Sequence, residues 1–215
     1  MKVGIYSHCT IDTIVYANTA YEAPGGSACY CSLTARNQKF DVSLETRYGA
    51  DFPLTDFLLK NKISVENKLS DKDTTRFKII LDHSERELFI QNRCEPLDSI
   101  MENVDGAIIS PVYDEINNEL FKKIKKSSNF ILLDPQGFLR YHNSENQILL
   151  KKTDLDLDGI SVIKVSPDEL LALTGSNDDS ALLALQKMGI ENVILTNKRD
   201  ISLLVKDKIY SIQLP

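Results

Sequence analysis

Residues 105–137 read DGAIISPVYDEINNELFKKIKKSSNFILLDPQG, and their hydrophobic rhythm decides the fold. Residues 105–110 are a short apolar run of the kind that forms a buried strand. Residues 115–126 place Leu120, Phe121 and Ile124 at helical spacing, an amphipathic helix with its lysines outward. Residues 129–133 are a second buried strand, ending at the turn Asp134-Pro135-Gln136-Gly137. The alternation continues towards the C-terminus. Residues 160–165 read as a strand and 167–174 as a helix ended by Gly175. Residues 180–188 are a helix closed by Gly189, again the position after a helix that glycine suits. A strand at 192–195 follows, then a hairpin of 202–205 and 209–212 around Lys206-Asp207-Lys208. Strand–helix–strand alternation over 105–195 predicts right-handed βαβ units. The fold class is therefore α/β, a mostly parallel sheet with helices on both faces.

Towards the N-terminus, residues 2–7 form a first buried strand and 41–46 another. Between them, Pro24-Gly25-Gly26-Ser27 is a turn leading into a helix with small and apolar positions at Ala28, Cys31, Leu33 and Ala35. Tyr48-Gly49-Ala50-Asp51 is a loop, and Pro53 opens a helix over 54–61. A short helix is expected over 98–101. Residues 11–17 and 63–69 read as further strands, and 74–93 as a hairpin around Asp82-His83-Ser84-Glu85. These half-exposed strands do not fit inside the parallel sheet. They predict a small separate sheet, a flap over a cleft, inserted in one domain spanning 1–215.

The 215 residues carry 25 Lys+Arg against 31 Asp+Glu, a net charge of −6, which lacks the basic footprint of a nucleic-acid binder. The run Lys122-Lys123-Lys125-Lys126 reads as a solvated helix face. No apolar run reaches the ~20 residues of a membrane helix. MKVGIYSHCTID lacks the charged and apolar regions of a signal peptide, so the expected location is the cytoplasm. Cys9, Cys29, Cys31 and Cys94 form no CxxC pair and have no nearby histidine pair, which argues for small buried thiols and against a structural zinc site.

Ligands of open α/β sheets bind beyond the carboxyl ends of the strands. Asp12 follows the first strand, and Gly25-Gly26 opens a helix whose free N–H groups face that edge. Asp134-Pro135-Gln136-Gly137, Ser166-Pro167-Asp168-Glu169 and Thr196-Asn197 follow later strands. Each also has a plain structural reading. The diglycine makes a turn, Asp12 is a solvated carboxylate, Asp134-Pro135 ends a strand, and Ser166 with Glu169 forms a capping box.

Taken in order, Asp12, Gly25-Gly26, Tyr48-Gly49-Ala50-Asp51, Asp134-Pro135-Gln136-Gly137, Lys164 to Glu169 with Leu173-Thr174-Gly175, and Leu185 to Gly189 before Val193 to Thr196 resemble the ribokinase-like (phosphofructokinase-B type) carbohydrate and nucleoside kinases. The DPQG segment and the serine at 166 resemble the archaeal-type branch. The resemblance implies a Rossmann-like domain with a small β-sheet lid. It implies phosphoryl transfer from ATP, with Mg²⁺, to a hydroxymethyl group of a sugar or nucleoside. It places Asp12, Gly25, Gly26, Ser27 and Tyr30 at the acceptor, with Tyr30 where many members have Asn. It places Lys164, Ser166 and Glu169 near phosphate and Mg²⁺, with Ser166 replacing the usual Asn and no residue a direct metal ligand. Thr196 lies near the nucleotide, beside Asn197-Lys198-Arg199-Asp200, where the family is glycine-rich.

The family's GAGD-type segment, source of the anion hole and the catalytic Asp, has no counterpart, and neither does its adenine pocket. The catalytic residue is therefore unassigned, and the 215-residue chain is expected to be truncated relative to the family and inactive alone. The partners implied are a small sugar or nucleoside and a second subunit paired through the lid sheet, with neither nucleic acid nor membrane. The alternative is a non-catalytic ligand-binding or regulatory protein on the same fold. A dinucleotide-binding enzyme is excluded, because Gly4 in the first strand is not followed by GxGxxG.

Overall fold

The computed structural model describes residues 1–17, 19–65, 68–82 and 85–215. Its main sheet has eight strands in the order β14-β13-β12-β11-β8-β7-β1-β4. The central strands are β1 (Lys2–Tyr6), β4 (Asp41–Glu45), β7 (Gly106–Ile109), β8 (Ile131–Leu133), β11 (Val162–Val165) and β12 (Asn192–Asn197), all paired in parallel. Antiparallel β13 (Asp200–Val205) and β14 (Lys208–Gln213) finish one edge. The smaller sheet, order β3-β2-β5-β6, is built from β2 (Thr10–Tyr16), β3 (Thr19–Gly25), β5 (Thr75–Asp82) and β6 (Glu85–Asn92). A two-stranded ribbon pairs β9 (Arg140–His142) with β10 (Ile148–Leu150).

The helices are α1 (Ser27–Asn37), α2 (Thr55–Lys60), α3 (Asn118–Ser127), α4 (Gln136–Leu139), α5 (Pro167–Thr174) and α6 (Asp179–Lys187). On α3, Leu120, Phe121 and Ile124 are buried against Ala107, Ile109, Ile131 and Leu133 of the sheet. Burying side chains of this kind contributes about 1.5–3 kcal/mol each. The helix begins at Asn118 and not at Glu115, because Asn117 caps it by accepting from the Leu120 amide at 2.8 Å. Glu115 serves the preceding loop: its carboxylate accepts from the amides of His8 at 3.1 Å, Val112 at 2.7 Å and Tyr113 at 2.7 Å.

Two expected elements are corrected. Residues 63–69 form no strand among those described. The Ile63 amide donates to the Leu58 carbonyl at 3.0 Å, closing α2, Leu69 makes only an isolated bridge to Tyr48, and positions 66 and 67 lie outside the described residues. Residues 98–101 form no helix. The turn expected around 82–85 includes His83 and Ser84, which also lie outside the described residues. In place of the strand at 63–69, the small sheet takes β3 as an outer strand. Four of its residues are exposed, and Pro24 within it suits an edge.

One carboxylate fastens the small sheet to the main body. Asp51 Oδ1 accepts from the Thr74 amide at 2.9 Å and its hydroxyl at 2.6 Å, and Oδ2 accepts from Arg76 at 2.8 Å. Arg76 in turn reaches Glu22 of β3 at 2.7 Å. Burial opposes the Asp51 charge, but the Thr74 and Arg76 hydrogen bonds outweigh it and hold the carboxyl at about 2. A depressed folded-state pKa contributes stability that is complete above the ordinary value and lost as pH falls through the folded one. Asp51→Asn is expected to flatten the stability decline between pH 4 and pH 2, read as thermal midpoints across that range.

Candidate functional site

The hollow between the two sheets is a cavity of about 180 Å³ lined by Thr10, Asp12, Gly26, Ser27, Tyr30, Phe77, Ile79, Arg86, Leu88, Val112, Gln136 and Arg140. The structure thus gathers Asp12, Gly26, Ser27 and Tyr30 in one place. The floor comes from the start of α1, the wall from β2, and the roof from β5 and β6.

Gly25 pairs with Thr10 across β2 and β3, and a Cβ there would run into the Asp12 carboxylate and lie 2.7 Å from Thr10 Oγ1. Gly26 has φ +85°, and a Cβ would strike the His8 carbonyl oxygen and come within 3.1 Å of the Thr10 amide. It caps α1 without a side chain, so the first amides of the helix carry no side-chain acceptor. Ser27 Oγ accepts from the hydroxyl of Ser110, just past β7, at 2.8 Å. Tyr30 is exposed, and its hydroxyl donates to the Pro24 carbonyl at 3.3 Å.

Asp12 accepts from Thr10 Oγ1 at 3.0 Å. Burial pushes its carboxyl above the ordinary range, against that hydrogen bond and the charges of Arg86 and Arg140. Its Oδ2 makes no hydrogen bond among the described residues, so it can accept from a ligand hydroxyl.

Arg140 was not singled out in the sequence. It donates to the Val112 carbonyl at 2.7 Å and lies over the Phe77 ring, 6.0 Å from its centre. Burial lowers its pKa, while the charges of Glu169, Asp134 and Glu115 support it. The guanidinium therefore couples the cavity to a second group at the strand ends. There Lys164 Nζ lies 3.3 Å from Asp134 Oδ2, and Asp134 Oδ1 is buried with no hydrogen-bond partner. Glu169 is buried close by. Burial and the Asp134 charge raise its pKa, against Lys164 and Ser166.

Lys164, Ser166 and Glu169 thus sit together but do not line the cavity, and neither does Thr196, whose hydroxyl donates to the Val165 carbonyl at 3.5 Å. Ser166 and Glu169 form a complete capping box, with the Ser166 amide donating to Glu169 Oε2 at 2.7 Å and the Glu169 amide to Ser166 Oγ at 3.3 Å. Two neighbouring carboxylates, one with an orphaned buried oxygen, fit a magnesium ion held by one or two carboxylates plus water and phosphate. Among the described residues no set of three acidic, His or Cys side chains could hold a metal alone. All four cysteines are free thiols, and Cys9 and Cys29 lie 3.9 Å apart at the sulfurs.

Of the residues that line the cavity, Gln136 belongs to a stretch the sequence marks. Phe77, Ile79 and Leu88 read there only as alternating strand residues. Arg86 and Arg140 give no local signal, because their role arises where separate elements meet.

The strand order of the main sheet and the separate four-stranded sheet make a mixed α/β fold that matches ribokinase-like structures. No protein-family profile and no curated protein sequence matches the chain. Among solved structures, it is similar to a pyrophosphate-dependent kinase in the ribokinase family in a sulfate complex, with TM-score 0.87, 21% identity, and coverage of 98% of this chain and 78% of that one. A pyrophosphate-dependent kinase of that family bound to a pyrophosphate analogue and myo-inositol gives 0.86 and 19%, with the same two coverages. Arabidopsis thaliana ribokinase with ribose and ATP gives 0.70 and 14%, covering 98% and 76%. Among the described residues no helix is long and apolar enough to cross a membrane.

Proposed function

We propose that the chain is a cytoplasmic small-polyol phosphotransferase of the archaeal-type ribokinase branch, and that these 215 residues supply its acceptor site and part of its donor site. The observation that carries this is the Asp12 carboxylate pressed against the diglycine corner inside a lid-covered cavity. A half-buried carboxylate whose Oδ1 is taken by Thr10 and whose Oδ2 is left to accept from a ligand hydroxyl suits a polyol. The cavity of about 180 Å³ is smaller than the ~300–1,000 Å³ typical of drug-sized ligands, which favours a hexose, pentose or inositol over a nucleoside. The similar kinase bound to myo-inositol supports the same class of acceptor. We infer that a second subunit pairs at the outer lid strand β3, where Tyr21 is exposed.

In the reaction, Asp12 and the diglycine amides hold the acceptor so that one hydroxyl points towards the strand ends. Phosphoryl transfer depends chiefly on such positioning and on neutralising phosphate charge. Arg140 and Lys164 supply positive charge between the acceptor and the carboxylate pair. A magnesium ion held through Asp134 and Glu169 would neutralise further phosphate charge. The donor is ATP or, as in the similar kinases, pyrophosphate. No two of the nine glycines are two positions apart, so no GAGD-type segment occurs within these residues, and they are expected to bind without turning over.

The test is thermal shift with myo-inositol, ribose, hexoses, nucleosides, ATP and pyrophosphate separately, plus ³¹P NMR of the complete mixture with Mg²⁺. A polyol is expected to raise the melting midpoint, and so is a donor. A panel with no polyol response overturns the reading. A response to polyol but never to donor favours the non-catalytic binding protein, a reading to which the fully satisfied capping box at Ser166 and Glu169 also lends weight. Lys164→Met is expected to weaken donor binding about tenfold, the worth of one charge-assisted contact, and to leave polyol binding unchanged. Titration of both ligands against the variant checks this.

A further inference from the structure

Three charged side chains line the cavity between the two sheets: the Asp12 carboxylate and the guanidiniums of Arg86 and Arg140. The positive charge is therefore in excess. Arg86 comes from β6 of the lid and is exposed, whereas Arg140 opens β9 and is half-buried. Among the described residues, only one N–H group of Arg140 has a hydrogen-bond acceptor, the Val112 carbonyl. No described carboxylate forms an ion pair with it, and neither guanidinium pairs with Asp12. The carboxylates whose charge reaches Arg140 are engaged elsewhere. Glu115 accepts three backbone amides, Asp134 holds Lys164, and Glu169 closes the capping box with Ser166. Burial lowers the Arg140 pKa most, and the Arg86 charge lowers it further, against Glu169. The fold thus brings two like charges to one hollow, one of them partly withdrawn from water. Such an arrangement is unfavourable until an anion enters between them.

We propose that the acceptor is an acidic polyol, a hydroxylated carbon chain or ring bearing a carboxylate or phosphate group, and that Arg86 and Arg140 clamp this group while Asp12 and the diglycine corner hold the hydroxyls. The inference rests on the reading of the lid cavity as an acceptor site and makes that reading more specific. A guanidinium presents a planar fork of donors that matches either anion. Two observations assign the pair to the acceptor and not to the phosphoryl donor. Both arginines line the hollow that Asp12 lines, whereas the donor-side residues Lys164, Ser166, Glu169 and Thr196 do not. Arg86 also belongs to the lid, on the strand that carries Leu88 over the same hollow, so it closes on whatever the lid covers. Arg86 is thereby a specificity-determining residue. A neutral polyol leaves the excess charge of the cavity unanswered, and an acid of the same carbon skeleton neutralises it.

The experiment is calorimetric titration of the chain with matched pairs at one ionic strength: sorbitol against gluconate, glucose against glucuronate, and glucose against glucose 6-phosphate. In at least one pair the acid is expected to bind at least about tenfold more tightly than its neutral partner, the worth of one charge-assisted contact. The pair that shows it tells whether the group is a carboxylate or a phosphate. The preference is expected to shrink as salt is raised. Arg86→Gln is expected to narrow the ratio to about threefold or less, and Arg86→Lys to keep more of it than Gln does. Arg86 is exposed, so folding is not at stake, and melting curves of both variants check this. Lys78→Gln is the control for charge elsewhere on the lid. Phe77 and Ile79 line the cavity, so Lys78 between them lies on the other face of β5, and its substitution is expected to leave the ratio as it was. Equal binding within every pair, a ratio that survives Arg86→Gln, or an equal loss from Lys78→Gln would each overturn the proposal. Pyrophosphate binding that weakens in Arg86→Gln with no polyol present would assign the arginine to the donor and overturn it too. If neutral polyols bind through Asp12 with no preference for acids, this inference alone falls. If no polyol of either kind binds, the acceptor reading of the cavity falls with it.

Discussion

Gly26→Ala is expected to be the most damaging single substitution in the chain. The residue sits at φ +85°, a left-handed backbone that a side chain makes costly, and a Cβ would meet the His8 carbonyl, a backbone atom with no freedom to swing away. His8 is pinned in turn by its amide on Glu115 and its ring on Thr75 at 2.9 Å. Strain at such a position and the clash together cost about 3 kcal/mol. For a domain of this size that corresponds to a fall of roughly 6–12 °C in the melting midpoint. Differential scanning calorimetry measures it. Because Gly26 also starts α1 at the cavity floor, polyol binding should be lost in the same variant. Ala35→Gly, on the same helix away from the cavity, is the comparison: it costs about 1 kcal/mol and keeps binding.

The second large effect separates function from stability. Burial raises the Asp12 pKa, so its charged form is disfavoured in the folded chain, and the folded state is weakened at pH above the folded pKa. Asp12→Asn keeps an oxygen that can accept from Thr10 and removes that buried charge. The variant is expected to melt higher than the parent at pH 7, with the advantage vanishing as pH falls below the raised pKa. It is also expected to lose polyol binding by ten- to a hundredfold, since hydrogen bonds to a charged group are worth ~1.5–3 kcal/mol. Calorimetric titration with the tightest polyol of the panel and melting curves from pH 4 to 8 read both. A variant that melts lower at pH 7 would mean that the Asp12 charge is structural.

The parallel sheet was legible because each of its strands is a short apolar run and each crossover helix has one apolar face, signals that need no distant partner. The helix at Pro167–Thr174 matched to the residue, since its cap, proline and terminal glycine are all local. β3 was hidden because Thr19–Gly25 has little apolar alternation and ends in Pro-Gly, the composition of an exposed edge and a turn together. Residues 63–69 misled because Ile63 and Val65 look like strand residues, whereas both are buried in the core shared with α1 and α2. Within the site, Asp12 and the diglycine could be read from order along the chain. Arg140 could not, because it follows a four-residue helix and gains its neighbours only when β9 is set against the lid.

The most direct test of the central claim is to map polyol binding residue by residue. In ¹H–¹⁵N spectra titrated with myo-inositol or a hexose, the account predicts the largest shifts at the amides of Asp12, Gly25, Gly26 and Ser27, with smaller ones at Phe77 and Arg140. Shifts that leave those amides still and gather elsewhere on the molecule, or spectra that no polyol changes, would contradict it.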